Sequence, residues 1–429
     1  MVNRIIWLIA SSLIIISGIY FTFKFKFVQF RFIKMIKSLK IKPTNKNTIK
    51  PFSSLMMVLA GRIGVGSIAG MAISIYYGGI GSIFWMWISS IFAASLTFLE
   101  TLLGMIYQKK DTKNICKGGP SYYIKYGLNN KLLGSIYALI IILSDIFGFI
   151  SIQTNTITHS LQEIINIDSK IIGIIICILV LIIIFGGVRR IANFSSKMVP
   201  IKTITYISVC FIIIISNIKQ IPLIFLEIVK SAFNLKSISG GILGTIIIGV
   251  QRGIFSSEAG IGTGAIASSA TESNNKEEKV SQGYIQMLGV YITTFLICTS
   301  TALVILISNI TKLNFTNLNG IEIIQIIFSK YLGGFGNCFI FIIIFLFAFT
   351  TILSSYYNAE SSLKYFIDKP NKSIKIIKIL TLISIFMGSI TSSSTIWNLI
   401  DIFVGLLAII NIYALINLKD KVIKLLNNK

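Results

Sequence analysis

Two stretches of this sequence break the rule that a lipid-embedded helix keeps its polar backbone sealed. One is Gly253-Ile254-Phe255-Ser256-Ser257-Glu258-Ala259-Gly260-Ile261-Gly262. The other is Gly61-Arg62-Ile63-Gly64-Val65-Gly66-Ser67-Ile68-Ala69-Gly70. Each is glycine-rich and polar inside an apolar run. Irregular backbone persists at membrane depth only where it is buried in protein or lines a cavity. Two such interruptions in corresponding halves of a polytopic chain point to a transporter's binding site. Close helix packing through small-xxx-small pairs such as Gly66 and Gly70 accounts for either stretch alone; their paired placement favours binding.

The surrounding composition is that of a membrane protein, with 54% hydrophobic residues, 13% charged residues and a mean hydropathy of +0.83. A net charge of +24 in a soluble chain would suggest nucleic acid. Here the basic residues gather in particular loops, so no nucleic-acid partner is expected, and no obligate protein partner is evident. Cys116, Cys177, Cys210, Cys298 and Cys338 share no metal-like spacing and read as packing residues. With His159 the single histidine, and no nucleophile–base pair or metal set within the spans, an enzyme is not expected.

Apolar runs of spanning length occur eleven times, at roughly 5–23, 52–77, 82–107, 132–160, 171–187, 199–217, 240–268, 283–307, 334–361, 374–390 and 395–416. The first lacks the small-residue cleavage pattern of a signal peptide and is kept as a span. The fourth and ninth are long enough to hide a kink. If the N-terminus lies outside, 30 lysines and arginines fall on the cytoplasmic side and 7 on the other, with Arg62 and Arg252 at the breaks. In that count the connection between spans 5 and 6 holds Arg189, Arg190, Lys197 and Lys202. The asymmetry predicts an outside N-terminus and a cytoplasmic C-terminus; a bacterial inner membrane is the expected location.

The loop from Lys24 to Lys50 carries nine basic residues and no acid, interleaved with Phe25, Phe27, Phe30, Phe32, Ile33 and Ile36. That pattern predicts a short amphipathic helix on the anionic inner leaflet, with a solvated positive-inside loop as the alternative. Gly118-Gly119-Pro120 marks a turn able to re-enter the bundle. Gln153, Thr154 and Asn155 lie within the fourth span, where amides either hold neighbouring helices or face a substrate. Asp145, Glu258, Glu360 and Asp401 fall in or near spans and are site candidates, Glu360 and Asp401 also fitting interfacial positions.

Without the first span, the remaining ten divide into five plus five. Each set opens with a broken helix, and the two run in opposite senses across the membrane, as in an inverted repeat. The expected organisation is an N-terminal helix (1–23), a basic segment (24–50), two five-helix repeats (51–217 and 218–417) and a tail (418–429). At each break the freed amides suit a carboxylate and the freed carbonyls a cation.

These residues resemble the alanine or glycine:cation symporter family, sodium-coupled amino-acid carriers with a leucine-transporter-like core and one extra N-terminal helix. The likeness covers nearly the whole chain. It includes Gly64-x-Gly66-x-Ile68-Ala69-Gly70, Phe84-Trp85-Met86-Trp87, Gly118-Gly119-Pro120, Gln153-x-Asn155 and Arg252-Gly253-x-Phe255-Ser256-x-Glu258-Ala259-Gly260-x-Gly262. The resemblance implies an all-α fold with a substrate site drawn from Gly64, Val65, Gly66, Ser67, Gln153, Phe255, Ser256, Gly260 and Ser355. By analogy with the fold's shared ion site, it implies sodium, the coupling ion, at Ala60, Ile63, Thr350 and Thr351.

Several positions depart from the family pattern. The usual Thr and Asn of the first break are Val65 and Ser67, the Asn after Phe-Ser is Ser257, an Asp of span 8 is Thr293 and a Trp of span 9 is Ser355. Loss of an indole at Ser355 predicts a roomier pocket than alanine needs. The expected function is sodium-coupled symport of a small neutral amino acid by alternating access. The alternatives are an uncoupled or proton-coupled carrier of altered selectivity, or a degenerate, non-transporting protein.

Overall fold

The computed structural model describes residues 2–41, 49–110, 116–234, 241–273, 275–309, 320–367 and 371–427. Among them, eight helices are long and apolar enough to cross a bilayer unbroken: Val2–Lys24, Ser82–Ile106, Lys131–Gln162, Gly187–Ser216, Lys276–Ile307, Phe335–Leu363, Ser373–Ile390 and Ser393–Asn427. Two shorter apolar helices, Ser169–Ile184 and Gly241–Ser257, and a helix interrupted between Pro51 and Gly78 complete eleven. In chain order these are α1 to α11. Helix α2 comprises Pro51–Arg62 and Ala69–Gly78, and α7 comprises Gly241–Ser257 and Thr263–Ser268. Among the described residues the fold is therefore all-α apart from one two-residue ladder, Lys109–Lys110 against Cys116–Lys117.

Burial is arranged for lipid. Ile174, Ile178 and Ile182 of α5, and Ile204, Ile212 and Ile215 of α6, point outward on one face of each helix, while serines and threonines line the interior. Those interior hydroxyls are sealed locally: Thr154, Thr156 and Thr158 donate to the carbonyls four residues back at 3.1, 2.9 and 3.0 Å. The two broken helices occupy the centre. Helix α3 packs on the first half of α7, on α8 and on α1, and α9 packs on the first half of α2, on α4 and on α6. Helix α1 is peripheral, held by Trp7 Nε1 donating to the carbonyl of Asp401 at 2.9 Å.

Several expectations change in detail. Residues 144–150 of α4 form a π-helical turn, so the fourth span does contain an irregularity, whereas α9 runs unbroken for 29 residues. Gly119, at φ 113°, leads into a short helix, Pro120–Gly127, buried over its first turn. The basic loop after α1 forms a turn at Val28–Phe30 and a helix at Phe32–Ser38 whose Met35 is buried against the bundle while Ile33 and Ile36 face outward. Its residues 42–48 lie outside the described ones.

Helix α6 begins at Gly187 and runs through Pro200, twelve residues earlier than the apolar run indicates. This removes Lys202 from the cytoplasmic loop: it is 0% exposed, inside the bundle. Two helices not anticipated, Ile221–Ala232 and Gly320–Leu332, are too short to span and join α6 to α7 and α8 to α9.

Asn155 answers its open alternative as a helix–helix tie. Its Nδ2 donates to the carbonyls of Gly388 on α10 (3.2 Å) and of Thr391 just beyond its end (2.7 Å). The contact depends on close backbone approach, because a Cβ on Gly388 would stand 2.6 Å from the carbonyl oxygen of Ser151 and 2.7 Å from its Cα. Gly388→Val is expected to force α10 from α4 at a cost of about 1–3 kcal/mol, lowering the melting temperature of detergent-purified protein by several degrees. Gly334→Ala, where an added Cβ meets nothing within 4 Å, is expected to leave it unchanged.

Candidate transport site at the paired helix breaks

The first break begins where the helix of Pro51–Arg62 ends with Ile63 N–H still bonded to the carbonyl of Leu59 at 2.8 Å. Gly64 is extended at φ −118°, ψ −159°, and Val65–Ser67 make a single tight turn before α2 resumes. The polar groups this frees are taken up by side chains. Val65 N–H donates to Gln153 Oε1 at 3.0 Å. The carbonyl of Ala60 accepts from Thr351 Oγ1 at 2.8 Å, and that of Ser67 from Thr301 Oγ1 at 3.0 Å.

The second break is shaped by positive φ at Glu258 (50°), Gly260 (80°) and Gly262 (91°). Gly262 needs to be glycine twice over: its φ is left-handed, and a Cβ there would stand 2.2 Å from Pro120 Cγ. Its N–H donates to Glu100 Oε2 at 3.0 Å. Asn411 Nδ2 bridges Glu100 Oε2 (2.9 Å) and the carbonyl of Gly260 (2.8 Å), while Tyr123 donates to Asn411 Oδ1 and Tyr137 to the carbonyl of Ile261. Thr263 Oγ1 donates to Glu258 Oε2 at 2.6 Å.

The breaks meet face to face. Ser67 Oγ and Ser256 Oγ share a hydrogen bond at 2.9 Å, and Ser256 Oγ lies 3.1 Å from Cys298 Sγ. Gly66 faces the ring of Phe255 so closely that a Cβ would stand 2.5 Å from Phe255 Cε1. Phe255 in turn stacks on Phe149 at 5.3 Å and lies 4.9 Å from Trp397, ring centroid to ring centroid. The Arg252 guanidinium covers Trp397 at 4.8 Å and pairs with Asp401 at 2.8 Å. Asp401 is thus one half of a buried ion pair, whereas Glu360 pairs with Lys364 one turn along α9 at 2.7 Å.

Of the expected substrate residues, Gly64, Val65, Gly66, Ser67, Gln153, Phe255 and Ser256 converge on one locus. Gly260 faces Leu96, with its carbonyl bonded to Asn411. Ser355 stands one turn beyond Thr351 on α9, where it and Asn358 approach the Asp145 carboxyl. The expected sodium oxygens at Ala60, Thr350 and Thr351 also come together, Thr350 Oγ1 lying 3.5 Å from the carbonyl of Ala60. Between them and the carbonyl of Ile63 sits an unforeseen group: Lys202 Nζ donates to Ile63 O at 2.9 Å and to Thr350 Oγ1. The available signal was position, since Lys202 lies inside the apolar run 199–217 rather than before it.

The sequence profile of the sodium:alanine symporter family matches residues 1–428. The chain belongs to that family. It is 38% identical over 418 residues to the probable sodium/glutamine symporter GlnT of Bacillus subtilis (strain 168), an alignment covering 96% of this chain and 86% of that one. It is 34% identical over 409 residues to the amino-acid carrier protein AlsT of the same organism (95% and 86% covered). To the sodium/proton-dependent alanine carrier protein of Bacillus sp. (strain PS3) it is 33% identical over 399 residues (89% and 88%). A solved Na+-coupled sialic acid symporter shares the fold at a TM-score of 0.54 and 16% identity, covering 95% of this chain and 82% of that one. The protein is accordingly a multi-pass membrane transporter of the sodium-coupled amino-acid symporter class, and not an enzyme.

The brace at the second break is open to test. Asn411→Leu strips the donor from Gly260 O and one of two donors from Glu100 Oε2, each worth about 1–3 kcal/mol when buried. The expected outcome is a drop of several degrees in melting temperature. Asn417→Leu, which removes an exposed amide bonded only to Tyr413 O (2.8 Å), should leave it unchanged.

Proposed function

We propose that the chain imports a neutral amino acid larger and more polar than alanine, of the glutamine type, together with sodium. The observation that carries this reading is the small, polar Ser355 where the family resemblance places an indole, with the Asn358 side chain and the Asp145 carboxyl beside it. A glutamine side chain needs polar partners for its amide, and these residues are of that kind. The name of the relative that is 38% identical, a probable sodium/glutamine symporter, agrees with it.

In this reading the α-amino and α-carboxyl groups bind at the broken helices, from Gly64 to Ser67 and at Phe255 and Ser256, with Gln153 making a side-chain contact. The two repeats, 51–217 and 218–417, rock about them, in a bacterial inner membrane with the N-terminus outside and the C-terminus in the cytoplasm.

The test is uptake of radiolabelled glutamine and alanine into proteoliposomes with and without an inward sodium gradient. Faster glutamine uptake that collapses with the gradient is expected. Alanine preferred by tenfold or more would overturn the substrate, and uptake indifferent to the gradient would overturn the coupling. Ser355→Trp is expected to lower glutamine uptake by about 10–100-fold, the scale on which pocket volume discriminates, with alanine uptake retained.

A further inference from the structure

The Lys202 ammonium lies fully buried, and none of the ion pairs among the described residues includes it. What surrounds it is a set of oxygens. Its Nζ donates to the carbonyl of Ile63 at 2.9 Å and to Thr350 Oγ1, itself bonded at 3.0 Å to the carbonyl of Phe347. Thr351 Oγ1 stands alongside, 2.8 Å from the carbonyl of Ala60 and 3.1 Å from that of Phe347. The ring of Phe347 closes the remaining side, with its centroid 4.8 Å from Nζ. Ala60 and Ile63 belong to the C-terminal end of the first half of α2, where carbonyls without a helical N–H partner present the negative end of a helix dipole.

This is a cation seat made wholly of neutral oxygens, and it is the one a fold-wide ion site would give to sodium through Ala60, Ile63, Thr350 and Thr351. A hard cation prefers such oxygens. In its ammonium form Lys202 brings its own positive charge to these oxygens. A second cation would share the same oxygens with a like charge at contact distance, with no carboxylate paired to the lysine among the described residues to offset the repulsion.

We propose that Lys202 is a tethered cation that fills this seat, so that sodium coupling in this chain runs through another site. The lysine enters from α6, while the oxygens come from α2 and α9. It therefore ties the broken helix to two neighbours without drawing on an ion gradient. In a carrier whose seat is filled by sodium, arrival and departure of the ion make and break the α2–α9 contact. In this chain that contact holds while the side chain stays extended, and opening requires the lysine to withdraw along α6.

The experiment is equilibrium binding of radioactive sodium to the full chain in lipid nanodiscs, comparing wild type, Thr350→Ala, Lys202→Ala and the Lys202→Ala/Thr350→Ala double variant. Wild type and Thr350→Ala are expected to bind the same number of ions. Lys202→Ala should bind one more per chain, and the double variant should lose that extra ion. Loss of an ion in Thr350→Ala alone would show that sodium occupies the seat beside the lysine and would overturn the proposal. A monodisperse Lys202→Ala protein that gains no ion would overturn it equally.

Should Lys202→Ala fail to fold, the comparison of wild type with Thr350→Ala decides by itself. Lys202→Met, which keeps most of the side-chain volume without the charge, is expected to fold and to gain nothing. A wild type that binds no sodium at all would count against sodium coupling, while the gain in Lys202→Ala would still test the lysine.

Discussion

Everything around the centre of this molecule follows from one constraint: a helix that unwinds at membrane depth exposes amides and carbonyls that no water can satisfy. The first break is sealed by Gln153, Thr301, Thr351 and Lys202, and the second by Glu100, Tyr137 and Asn411. Half a dozen such groups left bare, at about 1–3 kcal/mol each, would rival the roughly 5–15 kcal/mol that holds a typical fold together. The sealing residues come from α3, α4, α6, α8, α9 and α11. Two short irregular segments thereby fix the mutual placement of most of the bundle.

Each seal meets both amides and carbonyls, and the groups it uses follow the backbone. The first break leaves carbonyls at the end of the Pro51–Arg62 helix, and these are met by hydroxyls and a lysine ammonium. The second presents the amide of Gly262, and this is met by the Glu100 carboxylate. Donors meet the carbonyls at the end of that helix and an acidic side chain accepts from the Gly262 amide, the sense that helix-end electrostatics favours. Between them Ser67 and Ser256 bond hydroxyl to hydroxyl, the one direct polar contact seen from break to break among the described residues.

How much of this is visible in the sequence depends on the range of the interaction. The breaks are legible because glycine, polarity and apolar flanks coincide within ten residues. The eleven spans are legible because length and hydropathy are local. The seals are not, because their partners lie 88 residues apart for Gln153 and Val65, and 162 for Glu100 and Gly262. Glu100 looks like the end of a span until Gly262 is brought beside it. Lys202 reads as a loop charge because lysines near span ends usually anchor at the interface, and because Pro200 resembles a helix start. The helix instead carries Pro200 in its interior. The helices Ile221–Ala232 and Gly320–Leu332 escape notice since amphipathic segments of 12 and 13 residues raise no hydropathy signal of spanning length.

Gln153 shows why sealing and binding are compatible at such a centre. Its Oε1 accepts from Val65 N–H, the kind of backbone donor that a ligand carboxylate at the first break needs. A carboxylate taking that amide would displace the glutamine oxygen, exchanging one hydrogen bond for another. The net gain of such an exchange is small, because folding and binding count only the difference between partners. In the proposed reading, the charged groups common to all amino acids therefore contribute entry to the site more than preference. Selectivity then rests where a side chain meets Ser355, Asn358 and Asp145.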